Sequence, residues 1–266
     1  MILRARLHHA RYRSLWTSVA LTAALAATTS GCTSIQSGEP PGTLAMASAR
    51  SDADWRSQVA IWGERHRATP NDPAVAINYA QALRNIGQRA QAAAVLESAS
   101  ITHPKNMELL GAYGRALADA DNYQQALDVL SRAHTPERPD WRILSVQGAV
   151  FDQMGKHEDA RRYYASALRI VPDEPSVLSN LGLSYALSKD LPQAEATLRR
   201  AVARPRADPR VRQNLALVVG LQGRFAEAED IARADLPPEE AAANVAYLQQ
   251  MLAQQKAAPA KRASRG

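Results

Sequence analysis

The sequence predicts an all-α solenoid, a superhelical stack of helix–turn–helix repeats with a capping helix at each end. The main observation is that five blocks of 34 residues, starting at 73, 107, 141, 175 and 209, align without an insertion. A second observation is that small residues recur at three places of these blocks. Periods of about 20 to 50 residues are typical of solenoids, because each repeat buries its apolar face against its neighbours. The eighth place holds Ala80, Gly114, Gly148, Gly182 and Ala216, the twentieth holds Ala92, Ala126, Ala160, Ala194 and Ala228, and the twenty-seventh holds Ala99, Ala133, Ala167, Ala201 and Asp235.

The first element, residues 1–31, is predicted to be a signal peptide that is removed. Four arginines and no acid occur in the first 13 residues, and a largely apolar stretch runs from Leu15 to Ala27. Small residues then lead up to Cys32. This layout is typical of a secretory signal, and the apolar stretch is short for a stable transmembrane helix.

Cys32 is the only cysteine of the chain, so it cannot form an internal disulfide. Directly after Ser30 and Gly31, it resembles the lipobox cysteine of bacterial lipoproteins, although Thr29 stands where that family usually has Leu. The resemblance implies that Cys32 carries a covalent lipid, such as palmitate, and that the protein needs no other cofactor. Because Thr33 is not Asp, it also implies the outer membrane, with the protein facing the periplasm. The alternative is an ordinary signal peptide cut elsewhere, which leaves a free thiol.

Two segments are predicted to connect the anchor to the repeats. Residues 32–51 are rich in Ser, Thr, Gly, Pro and Ala and are predicted to be a flexible tether. Residues 52–72 are predicted to form an N-terminal capping helix, because Trp55, Val59 and Trp62 share one helical face. A cap is expected since the terminal repeats of a solenoid otherwise expose apolar surface.

Each block is predicted to contain two helices that cross at small residues. In the block 141–174 the Gly155–Lys156 pair separates two segments of helical periodicity. Gly or Ala at the crossing lets the helix axes approach closely. Large residues at the twenty-fourth place are predicted to fill the gap to the following repeat. These residues are Leu96, Leu130, Tyr164 and Leu198.

This pattern resembles the tetratricopeptide-repeat (TPR) family. The features of that family found here are Gly or Ala at place 8, Ala at places 20 and 27, and Pro at place 32 (Pro104 and Pro172). The resemblance covers residues 73–242, with Arg138 standing where the second block would have the proline. It implies a protein-binding scaffold.

The C-terminal part is predicted to be a cap followed by a tail. Residues 237–255 begin with two prolines and two glutamates, which are favoured in the first turn of a helix, and Val245, Leu248 and Met251 form an apolar stripe. These apolar residues are interpreted as buried core or cap. Residues 256–266 are predicted to be a disordered basic tail.

The charge balance argues against a nucleic-acid partner. The chain has 32 Lys and Arg against 26 Asp and Glu. Four of the bases lie in the predicted signal and four in the last eleven residues, and without those eight the balance is 24 bases against 26 acids. The folded body is therefore close to neutral.

No motif for catalysis or metal binding is found in the sequence. The histidines outside the signal (His66, His103, His134 and His157) have no metal-ligand spacing, and there is no phosphate-binding loop or nucleophile elbow. The sequence therefore predicts neither an enzyme nor a metal protein.

The TPR resemblance implies a concave groove lined by places 2, 5, 6, 9, 12 and 13. Asn at place 6 could donate to and accept from the backbone of an extended peptide, or could bond to the adjacent repeat instead. Leucines in the last two blocks predict an apolar end that takes a helix or strand. The predicted groove residues are Asn78, Asn180, Asn214, Arg142, Arg210, Arg115, Asp152, Leu183, Leu187, Leu217 and Leu221.

The stretch from Ala234 to Leu248 resembles the end of the TadD-type lipoproteins of the tight-adherence (Tad or Flp) pilus system. The resemblance implies an adaptor for assembly or secretion of such a pilus. Its partner would be the secretin or another machine subunit, bound in the manner of a pilotin. The alternative is a scaffold that recruits envelope enzymes such as peptidoglycan hydrolases.

Overall fold

The structure, a computed structural model, describes residues 52–205 and 207–263. The predicted signal peptide, Cys32 and the tether lie outside the described residues. Within them the chain forms twelve α-helices, and the predicted all-α solenoid is confirmed. The helices are α1 (Asp52–Ala68), α2 (Pro73–Asn85), α3 (Arg89–Thr102), α4 (Met107–Asp119), α5 (Tyr123–Ser131), α6 (Trp141–Gln153), α7 (His157–Ile170), α8 (Pro175–Leu187), α9 (Leu191–Val202), α10 (Pro209–Leu221), α11 (Phe225–Ala232) and α12 (Pro238–Ala263).

Five helix pairs, α2–α3 to α10–α11, form repeats 1 to 5, and the first helix of each pair begins where a sequence block begins. In four of the five repeats the side chain that precedes this helix accepts a hydrogen bond from a free N–H group of its first turn, and Glu174 before α8 is the exception. The Asp72 carboxylate accepts from the N–H of Ala74 at 2.8 Å, and the Asp208 carboxylate accepts from the N–H of Arg210 at 2.8 Å. Helix starts are therefore fixed by local chemistry at the period of the repeat.

The turn inside each repeat has a residue in the left-handed region at place 15. Its φ is +78° at Gly87, +74° at Gly155 and +84° at Gly223, where glycine adopts this conformation without strain. Asp121 and Lys189 adopt it at +61° and +67°. The same backbone reversal is thus used in all five repeats, with and without glycine.

Glycines at place 8 allow the two helices of a repeat to cross closely. A Cβ on Gly148 would lie 2.6 Å from the Tyr164 ring, and one on Gly182 would lie 2.6 Å from Cγ of Leu198. The large residue at place 24 therefore packs against the glycine of its own repeat, whereas the sequence analysis placed it toward the following repeat. At Gly148 and Gly182 only a residue without a side chain fits at this crossing.

The first helices of the repeats line the inside of the superhelix. Each packs on the next, so that α2, α4, α6, α8 and α10 form a continuous row of neighbouring helices. The second helices of successive repeats, from α3 to α11, lie farther apart: among the described residues no Cα atoms of two such helices come within 8 Å, and α9 meets α11 through the ion pair of Arg199 with Glu227 at 2.7 Å. The stack is therefore tighter on the side of the first helices, which form its concave face.

The stack ends with α12, which packs on both α10 and α11. Helix α11 has only eight residues, in keeping with the loss of the alanine column at Asp235. Helix α12 continues to Ala263, whereas the sequence analysis placed a disordered tail from residue 256; Ala, Lys and Arg dominate there and are good helix formers. Among the described helices none is long and apolar enough to cross a membrane.

Candidate protein-binding groove

The concave face changes character along the stack. The residues at place 9 all lie on it, because this place directly follows the buried eighth place of the first helix and none of its residues is fully buried. They are polar in the first two repeats, small in the third and apolar in the last two. In order, they are Gln81, Arg115, Ala149, Leu183 and Leu217.

A cavity of about 400 Å³ lies in the middle of this face. It extends across α4, α6 and α8, the first helices of three successive repeats. Arg115, Val146, Gln153 and Asn180 are among its lining residues. Its walls combine charged, amide and apolar groups, which suits the backbone and mixed side chains of a peptide.

Two of the predicted asparagines form a ladder between repeats. Asn180 donates from Nδ2 to Oγ of Ser145 at 3.2 Å, and Asn214 donates to Oγ of Ser179 at 2.9 Å. Asn78 donates instead to the carbonyl of Ala74 in its own helix, at 2.8 Å. The sequence left open whether Asn at place 6 binds a peptide backbone or the adjacent repeat, and Asn180 and Asn214 form the bond to the adjacent repeat. Asn180 still reaches the wall of the central cavity.

Asp152 does not face the groove. It is 9% exposed, and its Oδ1 accepts from Oγ of Ser184 and contacts Nδ1 of His157, both at 2.8 Å. Its Oδ2 accepts from the hydroxyl of Tyr164 at 3.0 Å. The prediction that Asp152 is a groove residue is corrected for a physical reason. Repeat 3 buries a tyrosine where repeats 1, 2 and 4 have leucine, and its hydroxyl requires a buried acceptor.

A second cavity of about 590 Å³ lies beside the first, and its charged lining residues are three arginines and two acids, Glu108 and Asp140. Arg115 belongs to both cavities, and Arg142 and Arg138 line the larger one. The guanidinium of Arg142 lies over the Trp141 ring, 4.5 Å from its centroid. Burial lowers the pKa of Arg115, and the nearby Arg84 acts in the same direction. Arg210 is exposed and lines neither cavity.

An apolar cavity of about 370 Å³ lies at the C-terminal end of the stack. Leu217 from α10 forms one wall and Leu236 follows α11. Tyr247, Leu248 and Met251 from α12 form the opposite wall. Leu217 is 42% exposed and Tyr247 66% exposed, so this apolar surface is open to a partner.

Of the predicted apolar residues, only Leu217 enters this cavity. Leu187 is exposed on the same concave side, while Leu183 and Leu221 are half-buried. Sequence reasoning missed the wall formed by α12, because it assigned the apolar stripe of that helix to the cap. The sequence feature that could have indicated this wall is Tyr247. A large aromatic side chain beside the buried stripe of a capping helix is not required for capping and therefore suggests a second apolar contact.

Family profiles described as tetratricopeptide repeat match residues 78–140, 153–218 and 209–234. The chain is built of tetratricopeptide repeats. Such repeats typically serve as scaffolds for protein interaction rather than as catalytic domains. Among the described residues no group of three or more His, Cys, Asp or Glu is placed to hold a metal ion.

The TPR solenoid is similar to several solved structures. PilW, a widely conserved type IV pilus biogenesis factor, superposes with a TM-score of 0.60 and 17% identity over 73% of this chain and 91% of PilW. PilF of Pseudomonas aeruginosa superposes with a TM-score of 0.50 and 18% identity, over 69% of this chain and 82% of PilF. A chain of the APC/C hetero-tetramer Cut9–Hcn1 superposes with a TM-score of 0.60 and 15% identity, over 76% of this chain and 40% of that one. At these identities the likeness shows the fold.

One relative in sequence is the uncharacterized protein y4yS of Sinorhizobium fredii (strain NBRC 101917 / NGR234). It is 28% identical over 117 residues, which are 42% of this TPR chain and 64% of y4yS. The match thus spans less than two thirds of that relative.

Proposed function

We propose that this TPR protein is an outer-membrane-anchored adaptor for a Tad/Flp-type pilus and binds a segment of a machine subunit, such as the secretin, in its concave groove. The apolar cavity between α10 and α12 is the observation that carries the proposal. A folded monomer seldom leaves Leu217, Tyr247 and Met251 open in one patch unless a partner covers them.

The dimensions of this cavity favour one or two apolar side chains as its occupants. Its volume of about 370 Å³ is at the lower end of the range for ligand pockets, and its walls are two nearly adjacent helices. An amphipathic helix or a strand can insert such side chains while its polar face stays in water. Farther along, the central cavity offers polar groups to the same segment.

The assignment to a pilus system has two supports of different kinds. The fold is shared with PilW and PilF, and PilW is a pilus biogenesis factor. Independently, the stretch from Ala234 to Leu248 resembles the end of the TadD-type lipoproteins. That stretch includes the start of α12, the helix that forms a wall of the apolar cavity.

The proposed anchor is a lipid on Cys32, which rests on the lipobox resemblance. Two or more acyl chains hold a protein firmly on a bilayer. The residues between Cys32 and α1 would then hold the groove at the periplasmic face of the outer membrane.

The test is complementation of a deletion strain. Deletion should remove surface pili and reduce the secretin multimers of the outer membrane, and the wild-type gene should restore both. Leu217→Asp combined with Met251→Asp should fail to restore them at equal protein level, since two carboxylates cannot be desolvated in an apolar cavity. The matched control is Ile101→Asp, because Ile101 is 76% exposed on the outer helix α3.

Normal piliation in the deletion strain, or full rescue by the double variant, would contradict the proposal. Capture of peptidoglycan hydrolases instead of pilus subunits in a pull-down from membranes would favour the scaffold alternative. The gene neighbourhood offers an independent check, because reading frames for a secretin, a secretion ATPase and a small prepilin are expected beside this gene.

A further inference from the structure

We propose that Arg115 anchors a carboxylate of the segment that the groove binds. The partner would then be acidic where it crosses repeats 2 and 3, and apolar where it reaches repeat 5. This inference rests on the proposed adaptor function, since it names the chemistry of the segment that the same groove takes.

Arg115 occupies the junction of the two central cavities. It lines both the cavity of about 400 Å³ and the cavity of about 590 Å³. One turn earlier, the buried Gly111 packs against Ile143 of the next repeat, and Nη2 of Arg115 lies 3.6 Å from the position that a Cβ of Gly111 would occupy. The guanidinium therefore folds back along α4 into the wall of the groove, where a ligand in either cavity can reach it.

Within the part of the chain that the structure describes, Arg115 has no ion-pair partner, although the charges of Asp140 and Glu108 act on its guanidinium from a distance. Among the described residues no hydrogen bond or ion pair is formed by its guanidinium, although the side chain is half-buried. Two of the nearby acids have other bonds, since Asp119 pairs with Arg84 at 2.5 Å and Asp140 accepts from the N–H of Arg142 at 2.8 Å. The third, Glu108, lines the larger cavity with Arg115 but forms no ion pair with it. A half-buried guanidinium without a partner is unfavourable, and a carboxylate that binds it in two-pronged geometry relieves that cost.

Further arginines strengthen the preference for an anion. Arg142 and Arg138 line the larger cavity together with Arg115. Burial and the like charges of Arg84 and Arg142 lower the pKa of Arg115, against the opposing influence of Asp140 and Glu108. An anion placed between Arg115 and Arg142 would be attracted by both and would remove their mutual repulsion.

The surroundings favour a peptide carboxylate over a compact anion such as phosphate. The cavity extends from Arg115 past Val146 and Ala149 to Asn180, so that charged, apolar and amide groups follow one another along the concave face. An extended chain can use all of these groups at once, because its side chains alternate and its backbone carries donors and acceptors. A small anion would use the guanidinium alone.

The proposal is tested by selecting random dodecapeptides displayed on phage against the full chain. Two formats are used, one with a free peptide C terminus and one with the peptide followed by a linker. We expect Asp and Glu to be enriched at one position relative to an apolar residue of the selected peptides. Enrichment in the linker format assigns an acidic side chain, whereas enrichment confined to the free-terminus format assigns the C-terminal carboxylate.

Variants separate a specific anchor from general charge. Arg115→Gln should abolish the acid enrichment and raise the dissociation constant of the selected peptides roughly tenfold or more, since one charge-assisted bidentate contact is lost. Arg169→Gln removes the same charge from the outer helix α7 and should change the dissociation constant less than about twofold, as expected for an exposed charge away from the contact. Selected peptides without acid enrichment, or an unchanged affinity of Arg115→Gln, would overturn the proposal.

A stability measurement excludes a merely structural role. Arg115→Met keeps the apolar stem and removes a half-buried charge that has no ion-pair partner in the described part of the chain, so its thermal unfolding midpoint should equal or exceed that of the wild type. A midpoint lowered by more than about 3 °C would show that the guanidinium stabilises the fold and would overturn the proposal. These outcomes leave the adaptor function untouched, since that function is judged by piliation.

Discussion

The hydroxyl of Tyr164 donates a hydrogen bond of 3.0 Å to Oδ2 of Asp152, and both residues are buried inside repeat 3. Burial, and then the charge and hydrogen bond of Asp152, raise the pKa of Tyr164. In repeats 2 and 4 the corresponding pairs are Leu130 with Ala118 and Leu198 with Ala186. Repeat 3 thus replaces an apolar contact by a buried polar one. This replacement requires both a tyrosine at place 24 and an aspartate at place 12.

This pairing predicts a strong coupling in a double-mutant cycle. Asp152→Ala should lower the free energy of unfolding by about 3 kcal/mol, because the hydroxyls of Tyr164 and Ser184 lose their buried acceptor. Tyr164→Phe should cost roughly 1–2 kcal/mol, and the double variant should cost at least about 1 kcal/mol less than the sum. Urea denaturation followed by far-UV circular dichroism measures all four proteins. Additive effects would show that the two side chains are not coupled; Tyr163→Phe, at a half-buried neighbour, is the control.

The strained turn at Lys189 predicts a stabilising substitution. Lys189 has a φ of +67° at the place where three other repeats have glycine. Lys189→Gly should raise the free energy of unfolding by roughly 0.5–1 kcal/mol, because a side chain in the left-handed region is strained.

The reciprocal variant is Gly155→Ala, at the same place of the preceding repeat. No atom lies within 4 Å of the added Cβ, so any loss reports the φ of +74° alone. A loss of about 1 kcal/mol is expected. If Lys189→Gly destabilises the protein, strain at this turn is not what limits its stability.

An ion-pair network predicts a pH dependence of stability. Glu195 of α9 is bonded by Arg199 at 2.7 Å, by Arg224 at 2.7 Å and by Gln222 at 2.8 Å, which links the outer sides of repeats 4 and 5. Burial acts to raise the pKa of Glu195, but the bonds from Gln222, Arg224 and Arg199 outweigh it and lower this pKa from 4.5 to about 2. Because the folded pKa lies below the unfolded one, the stabilisation is complete above pH 4.5 and is lost as the pH falls toward 2.

The comparison that checks this dependence is between the wild type and Glu195→Gln. The wild type should be more stable by roughly 1 kcal/mol at pH 7, a modest value because the arginines are partly exposed. The difference should close between pH 4.5 and pH 2. Glu137→Gln, at an exposed loop residue, should show no such change with pH. If the difference in stability between the two proteins persists at the lowest pH, it arises from packing rather than from the charge of Glu195.

The proposed anchor predicts where the protein fractionates. Wild-type protein should sediment with the outer membrane, and Cys32→Ser should appear in the soluble periplasmic fraction or remain unprocessed, since no acyl chain can be attached. Sucrose-gradient fractionation with immunoblotting measures this directly. Outer-membrane association of the Cys32→Ser protein equal to that of the wild type would contradict a lipid anchor.

The features that could be predicted from the sequence are those that the repeat period controls. The eighth-place glycines predict the close crossing of two helices, and Gly148 shows why: the Tyr164 ring occupies the space of the missing side chain. The ladder could also have been found, because Ser145 and Asn180, and then Ser179 and Asn214, recur at a constant separation. A regular register converts such pairs into contacts between adjacent repeats.

The remaining features depend on departures from the period. Asp152 stands at a place assigned to the groove, and it is buried only because repeat 3 carries a tyrosine at place 24. The wall that Tyr247 and Met251 contribute depends on the angle at which α12 meets α10, and α12 belongs to no repeat. Local periodicity contains no information on that angle.

Because α12 closes the stack and also walls the apolar cavity, the row of repeats cannot be extended beyond repeat 5 without changing the cavity. A chain shortened before α12 would lose both the helix that covers repeat 5 and a wall of the proposed binding cavity. The same truncation would therefore reduce solubility and abolish partner binding. An extra repeat placed after repeat 5 would separate Leu217 from Tyr247 and erase the cavity. New repeats can be accommodated only on the N-terminal side of α10, where they lengthen the polar part of the groove and leave its apolar end unchanged.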